Sequence, residues 1–347
     1  MEQTKRKTMK RIAAGVFFFA LLAAFVLRAS YVLIPPRLDY GAVWNMYLRE
    51  PENSDDILFF GSSMAYCDVV PAVIYEETGL TSFVAAGPRQ TYTLTYYAVR
   101  EALKTQRPSV VFLEVTGMLF DRYTDSTTSN VAYMPYFSLN RLGATIYGAE
   151  PEKRFGFLFP LYNYHDRFDD PTVLFRPRAD EKVDPLAGFT FLTTVTPQSG
   201  RTERKVDVSE EDFQRNVEYL HRIQDLCARE GIRLILFQVP SCNYIPETWM
   251  ARIREAAGPD AEILDLNASF DDVGLSMDTD FYDGFHCNAL GAEKVSRTLS
   301  AYLTEHCAIR PRAADPALWA WRAEEFAGRL AELRRAAGLD SAGEHQV

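Results

Sequence analysis

The chain has few cysteines and histidines and no excess of positive charge. Its 347 residues include five cysteines and five histidines. The cysteines form no CxxC pair and follow no zinc-ligand spacing, so we predict packing thiols and expect no metal and no cofactor. The formal net charge of −10 argues against nucleic acid as a partner, because phosphates require a basic surface. The cysteines are Cys67, Cys227, Cys242, Cys287 and Cys307.

The first 34 residues have the pattern of a membrane anchor. Residues 1–11 are basic, and residues 12–34 are uncharged apart from Arg28. A helix of these 23 residues spans roughly the 30 Å of bilayer hydrocarbon, and Arg28 near its far end can reach the headgroups. The basic flank predicts a single-pass protein of the cell membrane, with a cytoplasmic N-terminus and an extracytoplasmic remainder. A cleaved signal peptide is the alternative, but residues 27–30 offer no clean A-x-A site.

Beyond residue 55, short apolar runs alternate with amphipathic segments. The runs predict buried strands and the segments predict helices. Strands that are apolar throughout indicate a parallel sheet covered by helices on both faces, so we predict an α/β fold. The predicted strands are residues 57–60, 82–87, 110–115, 232–239 and 262–265, and the predicted helices are residues 92–105, 210–230, 289–303 and 316–337.

The pattern divides the chain into an N-terminus (1–11), an anchor (12–34), a connector with one short helix (35–54), an α/β domain (55–307) and a tail (308–347). Residues from about 120 to 205 break the alternation and are rich in aromatics. We predict an insertion over the carboxyl edge of the sheet, as a cap or side wall; the alternative is that these rings form a small core of their own. The amphipathic helix of the tail is expected to dock on the domain.

Two short motifs suggest catalysis by a serine. Gly61-Ser62-Ser63 follows the first predicted strand, and Asp283 lies three residues before His286, just ahead of the last helix of the sheet. At that spacing the carboxylate can accept the Nδ1–H of the ring, which leaves Nε2 to take a proton from a serine. Asn288 is predicted to cap the following helix. Each motif alone is common, and their combination is much more specific.

This combination resembles the SGNH (GDSL-like) hydrolase superfamily. Gly61-Ser62-Ser63 stands where the family has its first block, Gly87 corresponds to the glycine of the second block, and Asp283 to His286 form the last. The resemblance covers roughly residues 55–305. It looks nearest to membrane-anchored bacterial members, close to the teichoic acid D-alanylation protein and the alginate and peptidoglycan O-acetyltransferases.

The resemblance implies a three-layer, flavodoxin-like parallel sheet and a Ser-His-Asp triad. It implies Ser63 as the nucleophile, His286 as its base and Asp283 as the partner of the histidine. Ser62 would shape the turn. The backbone N–H groups of Ser63 and Gly87 would form the oxyanion hole, where one donor typically contributes ~2.7–4 kcal/mol.

One block departs from the family pattern. The third block, Gly-x-Asn-Asp, should follow the third strand, and its asparagine supplies an oxyanion donor. Met118 stands in that place and cannot donate a hydrogen bond. Thr116 is the candidate substitute and a candidate substrate-lining residue. His165 in the insertion is a second candidate for lining, with a structural role as its alternative, while His221 and His306 are predicted on the surface.

These observations predict an extracytoplasmic, membrane-anchored acyl-ester hydrolase or O-acyltransferase that acts on a cell-envelope glycan or a related acylated substrate. Its predicted partners are that acylated glycan or a small acyl ester, the membrane, and a membrane protein that delivers the acyl group. Hydrolysis and transfer use the same residues and differ in the acceptor. The missing asparagine favours the alternative, a catalytically inactive protein of this fold that binds glycan or assists a membrane acyltransferase.

Overall fold

Five parallel strands form the central sheet of the protein. The computed structural model describes residues 2–34, 41, 44–169, 183–312 and 315–339. The order of the sheet is β2-β1-β3-β5-β7, which is the flavodoxin-like doubly wound order, and β4 pairs with β6 in a separate ladder. The predicted α/β class is therefore confirmed. The strands are β1 (Ile57–Phe60), β2 (Ser82–Val84), β3 (Val110–Glu114), β4 (Thr202–Glu203), β5 (Arg233–Gln238), β6 (Asn243–Tyr244) and β7 (Glu262–Asp265).

Helices cover both faces of this sheet. The α5 and α10 helices pack on one face, and α4, α13 and α14 lie on the other. Short 3₁₀ helices span Val115–Leu119 and His165–Asp169. The α-helices are α1 (Glu2–Leu33), α2 (Trp44–Tyr47), α3 (Ser63–Asp68), α4 (Pro71–Thr78), α5 (Tyr92–Ala102), α6 (Thr127–Ala132), α7 (Leu139–Gly148), α8 (Arg154–Leu158), α9 (Pro160–Tyr164), α10 (Glu210–Glu230), α11 (Glu247–Ala257), α12 (Phe270–Val273), α13 (Ala289–His306) and α14 (Pro316–Ala336).

Local chemistry explains where the long elements begin and end. Every residue of β1 is fully buried between the helix layers, as its unbroken apolar run predicts. The α10 helix begins where the Ser209 side chain accepts the N–H of Asp212, and it ends at Gly231 in the left-handed conformation. The side chain of Asn288 caps α13, which confirms that prediction.

The strand order reverses between β1 and β3, which are direct neighbours. Ile57 at the start of β1 pairs with Val110 at the start of β3 and with Ser82 of β2. The loops that follow these strands therefore leave the sheet at the same edge. In doubly wound sheets this reversal opens a crevice beyond the carboxyl ends of the strands, where ligands bind.

The aromatic-rich segment is divided among three surroundings. The α7 helix packs against α5, and Phe157 of α8 joins the main core. Near the carboxyl edge, the Thr124 hydroxyl donates to the Arg89 carbonyl and Asn130 Nδ2 donates to the Pro88 carbonyl. The part from residue 183 onward runs along β2 and then past the loops before α13. The predicted cap is thus formed by only a part of the insertion, and residues 170–182 lie outside the described residues.

Both ends of the chain contribute helices. Within α1, residues Lys5–Leu33 form a helix that is long and apolar enough to cross a membrane, with a mean hydropathy of 2.3. The α14 helix docks on the domain through Trp319, Phe326 and Leu330, as predicted. The short helix predicted in the connector is α2. The connector's residues 35–40 and 42–43 and the last eight residues of the tail lie outside the described residues.

Candidate active site

The three predicted triad residues form one hydrogen-bonded chain. Ser63 is the first residue of α3, directly after the β1 turn, and it is half-buried. His286 Nε2 lies 2.8 Å from Ser63 Oγ. The other ring nitrogen, Nδ1, lies 3.0 Å from both carboxylate oxygens of Asp283. These distances are within the reach required for proton transfer from a nucleophile to its base.

The surroundings of Asp283 assign the protons in this chain. Burial raises the pKa of Asp283, but the hydrogen bond and charge of His286 and the backbone N–H groups of Phe285 and His286 outweigh it, so the net pKa lies below its ordinary value. An ionised Asp283 accepts the Nδ1–H of the ring. Nε2 is then the unprotonated nitrogen, and it accepts the hydrogen bond from the Ser63 hydroxyl.

The turn that presents Ser63 is built around a buried carboxylate. Ser62 Oγ donates to Glu114 Oε2 at 2.7 Å, and it also accepts the N–H of Met64 as the N-cap of α3. Gly61 has φ +147, and a Cβ there would collide with the Cβ of Glu114. The glycine therefore allows the turn to pass over Glu114, and Ser62 has the turn-shaping role that was predicted for it.

Glu114 was missed by sequence reasoning. It ends β3, beside β1, and it is fully buried. Burial raises its pKa, which hydrogen bonds from Thr116 and Ser62 and the charge of Arg204 partly offset. The signal was an acidic residue that ends an otherwise apolar strand, and such a residue is seldom buried without a specific partner.

The predicted oxyanion hole is incomplete. The N–H of Ser63, at the N-terminus of α3, has no hydrogen-bond acceptor among the described residues, so it is free to bind an oxyanion. The N–H of Gly87, in contrast, donates to the Gly61 carbonyl at 3.1 Å. The loop after β2 thus uses this donor to hold the β1 turn, and the oxyanion role of Gly87 stays a prediction. Met118 lies fully buried in the core and adds no donor.

Neither predicted lining residue forms a surface beside the triad. Thr116 is 3% exposed and its N–H donates to Glu114 Oε1 at 2.6 Å, so it supports the turn from behind. His165 is exposed on the insertion, where its Nδ1 lies 3.0 Å from the Tyr162 carbonyl, and no hydrogen bond joins it to the triad within the described residues. His221 and His306 are exposed, as predicted.

A second buried acid, Asp68, holds the histidine loop. It is the last residue of α3 and is fully buried. Its Oδ1 accepts the N–H of Cys287, the residue after His286, at 3.0 Å. The helix that begins with Ser63 thus also holds the loop of His286, and this contact was not visible in the sequence.

The cysteines are all buried in the core, as predicted for packing thiols. Among the described residues, no group of three or more His, Cys, Asp or Glu side chains has the arrangement to hold a metal ion.

No protein-family model matches the chain, and no curated protein matches it. Among solved structures, it is similar to a crystal structure of a Bacteroides fragilis protein that is described provisionally as an acylhydrolase. The similarity covers 78% of this chain and 99% of that chain, with 12% sequence identity and a TM-score of 0.39. A likeness this weak indicates neither a family nor an activity.

Proposed function

We propose that the protein is a serine acyl-ester hydrolase or O-acyltransferase of the SGNH type, held at the outer face of a cell membrane by α1. The observation that carries the proposal is the hydrogen-bonded chain from Ser63 Oγ through His286 to Asp283. In support of the proposal, these three hydrogen-bonded residues lie at the carboxyl edge of the sheet, where the strand order reverses between β1 and β3. The acyl group comes from an acylated envelope glycan or a similar ester.

The proposed reaction begins with Ser63 Oγ attacking the ester carbonyl while His286 Nε2 removes the hydroxyl proton. Asp283 stabilises the imidazolium that forms, and the N–H of Ser63 binds the developing oxyanion. His286 then gives its proton to the departing alcohol, and an acyl-enzyme remains on Ser63. Water or a glycan hydroxyl, deprotonated by the same histidine, takes the acyl group and restores the serine.

A second candidate is a protein of this fold that binds an acylated glycan, or assists a membrane acyltransferase, without turnover. The state of the oxyanion hole favours it, because Gly87 uses its N–H within the protein and Met118 replaces the expected asparagine. Loss of one oxyanion donor typically slows an enzyme about 10²- to 10³-fold. The proposal therefore predicts a slow enzyme toward simple esters.

The test is covalent labelling of the purified chain with a fluorophosphonate, a probe that reacts with activated serines. We expect one label, located on Ser63 by peptide mass spectrometry. Ser63→Ala should abolish the label, and His286→Ala should lose about as much because the members of a catalytic unit are not additive. Asp283→Asn should slow labelling about 10⁴-fold by favouring the wrong tautomer of the ring.

Ser62→Ala is the matched control, since it removes the neighbouring hydroxyl. It loses the N-cap of α3 and the hydrogen bond to Glu114, which typically lowers stability by about 1–3 kcal/mol, and it should still be labelled on Ser63, at a lower rate than the wild type. Labelling that survives Ser63→Ala and vanishes in Ser62→Ala would show that Ser62, and not Ser63, is the nucleophile. A folded wild type that never reacts would support the non-catalytic candidate.

A further inference from the structure

A cavity of about 260 Å³ reaches the loop that carries His286, and the reaction proposed above uses none of the charged residues of this cavity. Phe285, which directly precedes His286, forms part of its wall. Arg89, from the loop after β2, forms another part. The charged residues of its lining are Arg89, Arg204, Lys205, Asp121 and Asp207.

Most of these charges already have partners. Lys205 Nζ lies 2.8 Å from Asp207 Oδ1, and both side chains are largely exposed. Arg89 Nε lies 3.3 Å from Asp125 Oδ1, at the surface. Asp121 accepts a backbone N–H at the start of α10. Four of the charged groups on this wall therefore have partners within the protein, but the pair of Arg89 and Asp125 is exposed to solvent and contributes little.

Arg204 is the exception. Its Nε is buried without a hydrogen-bond partner, and its guanidinium forms no ion pair among the described residues. The charge of Glu114 acts on Arg204, but that carboxylate already accepts bonds from Ser62 and Thr116 and forms no ion pair with Arg204. A buried donor without an acceptor costs about 1–3 kcal/mol, more when charged, so an acceptor on this wall of the cavity would stabilise Arg204.

Backbone hydrogen bonds hold Arg204 next to the loop that carries Asp283 and His286. Its N–H donates to the Tyr244 carbonyl at 2.8 Å, and the adjacent Asn243 donates its N–H to the Gly284 carbonyl at 2.7 Å. Burial lowers the pKa of Arg204 to about 10, with the charge of Glu114 opposing and that of Arg89 assisting. The guanidinium therefore stays charged at neutral pH in a fixed position.

We propose that Arg204, with Arg89 at the rim of the cavity, binds an anionic group of the substrate while Ser63 takes the acyl group. The inference rests on the proposed function and adds a substrate class to it, namely acyl esters that carry a carboxylate or a phosphate near the ester. The planar fork of a guanidinium matches both groups, which accept two parallel hydrogen bonds from it. An anion in the cavity supplies the acceptor that Arg204 lacks.

The first experiment compares two acetate esters with the same leaving-group skeleton, 7-acetoxycoumarin-3-carboxylate and the neutral 7-acetoxycoumarin. The measurement is the ratio of kcat/KM for the charged ester to kcat/KM for the neutral one. Arg204→Gln should lower this ratio about 10- to 100-fold, mainly through KM, as expected for loss of a charged hydrogen bond. Arg204→Lys should recover part of the loss, since it keeps the charge without the fork.

Arg222→Gln is the control, because it removes the same charge from the exposed face of α10, where Arg222 pairs with Glu218. Its ratio should equal that of the wild type. If Arg204→Gln slows both esters equally, or slows neither, the ratio of their kcat/KM values stays unchanged. That result would overturn the proposal and assign Arg204 a structural role.

The second experiment separates the anion site from catalysis. Thermal unfolding of Ser63→Ala is followed with inorganic phosphate or glucuronate, with sodium chloride at equal ionic strength as the reference. At least one anion should raise Tm, and the rise should disappear in Ser63→Ala with Arg204→Gln. The effective anion identifies phosphate or carboxylate as the ligand group. No rise in Tm with either anion would overturn the anion site. A rise in Tm, together with a wild type that the phosphonate never labels, would contradict the proposed esterase activity and leave the anion site standing.

Discussion

At the scale of single residues, Glu114 connects two elements of the site. Its Oε2 accepts both the hydroxyl and the N–H of Ser62, and its Oε1 accepts the N–H of Thr116. A carboxylate can accept all of these bonds because it has acceptors on both oxygens. The position of the Ser63 hydroxyl against His286 therefore depends on a side chain from the neighbouring strand.

Glu114→Gln tests this dependence. The amide has the same size but offers one acceptor oxygen, so donors from Ser62 or Thr116 lose their partner inside the core. We expect a loss of about 1–3 kcal/mol in the free energy of unfolding, measured by urea denaturation. Phosphonate labelling of Ser63 should slow by about 10-fold or more, because small displacements of a nucleophile are costly.

Glu101→Gln serves as the comparison for this variant. Glu101 is also a buried carboxylate, and it accepts hydrogen bonds from Ser138 and Asn140 on the helical side of the domain. It should lose similar stability and keep the wild-type labelling rate. Equal labelling rates in both variants would show that Glu114 contributes to folding alone.

At the scale of secondary-structure elements, the end of α1 is part of the folded domain. Ser30 Oγ accepts the N–H of Leu161 at 3.4 Å, and the Leu33 carbonyl accepts Arg167 Nη1 at 2.6 Å. The rings of Tyr31 and Phe137 lie 5.7 Å apart. Cleavage after Ser30 would remove the first of these contacts, whereas Tyr31 and Leu33 would stay in the mature chain without the rest of α1.

We expect protease added to intact cells to digest the chain beyond about residue 34 and to leave the basic N-terminus protected. Intact mass of the protein extracted from membranes should include the residues of α1. Permeabilised cells are the control, in which both parts become accessible. Protection of the whole domain in intact cells would contradict the orientation, and a mature chain that starts near residue 30 would identify a signal peptide.

At the scale of the whole molecule, a buried charged cluster joins distant parts of the chain. Arg322 of α14 is 1% exposed and donates to Glu50 at 2.5 Å and to the Asp184 carbonyl at 3.0 Å. Asp55, just before β1, is buried beside them, and neither of its carboxylate oxygens has a hydrogen-bond partner among the described residues. Burial, with the charge of Glu50, raises the pKa of Asp55 well above its ordinary value.

This raised pKa links stability to pH. An acid whose pKa is higher in the folded state stabilises that state at low pH, and the contribution is lost as pH rises through the folded pKa. Asp55→Asn removes this titration. Its Tm should therefore fall less than the wild-type Tm between about pH 5 and pH 9. Asp271→Asn, an exposed acid of α12, should keep the wild-type slope; parallel curves for Asp55→Asn and the wild type would contradict the prediction.

Local patterns in the sequence determined the five strands of the central sheet, the helices α5, α10, α13 and α14, and the contact between Asp283 and His286. β1 is four apolar residues followed by glycine, and α10 is bounded by a capping serine and a glycine. Asp283 and His286 are close in sequence, so their contact is a short-range property of one loop. Such features depend on neighbouring residues along the chain, and these can be evaluated without the fold.

The tertiary structure alone decided which groups surround Ser63. Glu114 reaches Ser62 because β3 is the neighbour of β1. Arg204 reaches the cavity because β4 pairs with β6 beside the loop that carries Asp283 and His286. The N–H of Gly87 is not free to bind a ligand, because the loop after β2 uses it in a hydrogen bond to the Gly61 carbonyl. These contacts join residues that are far apart in sequence. Their geometry follows from strand order and packing, which no local pattern of residues specifies.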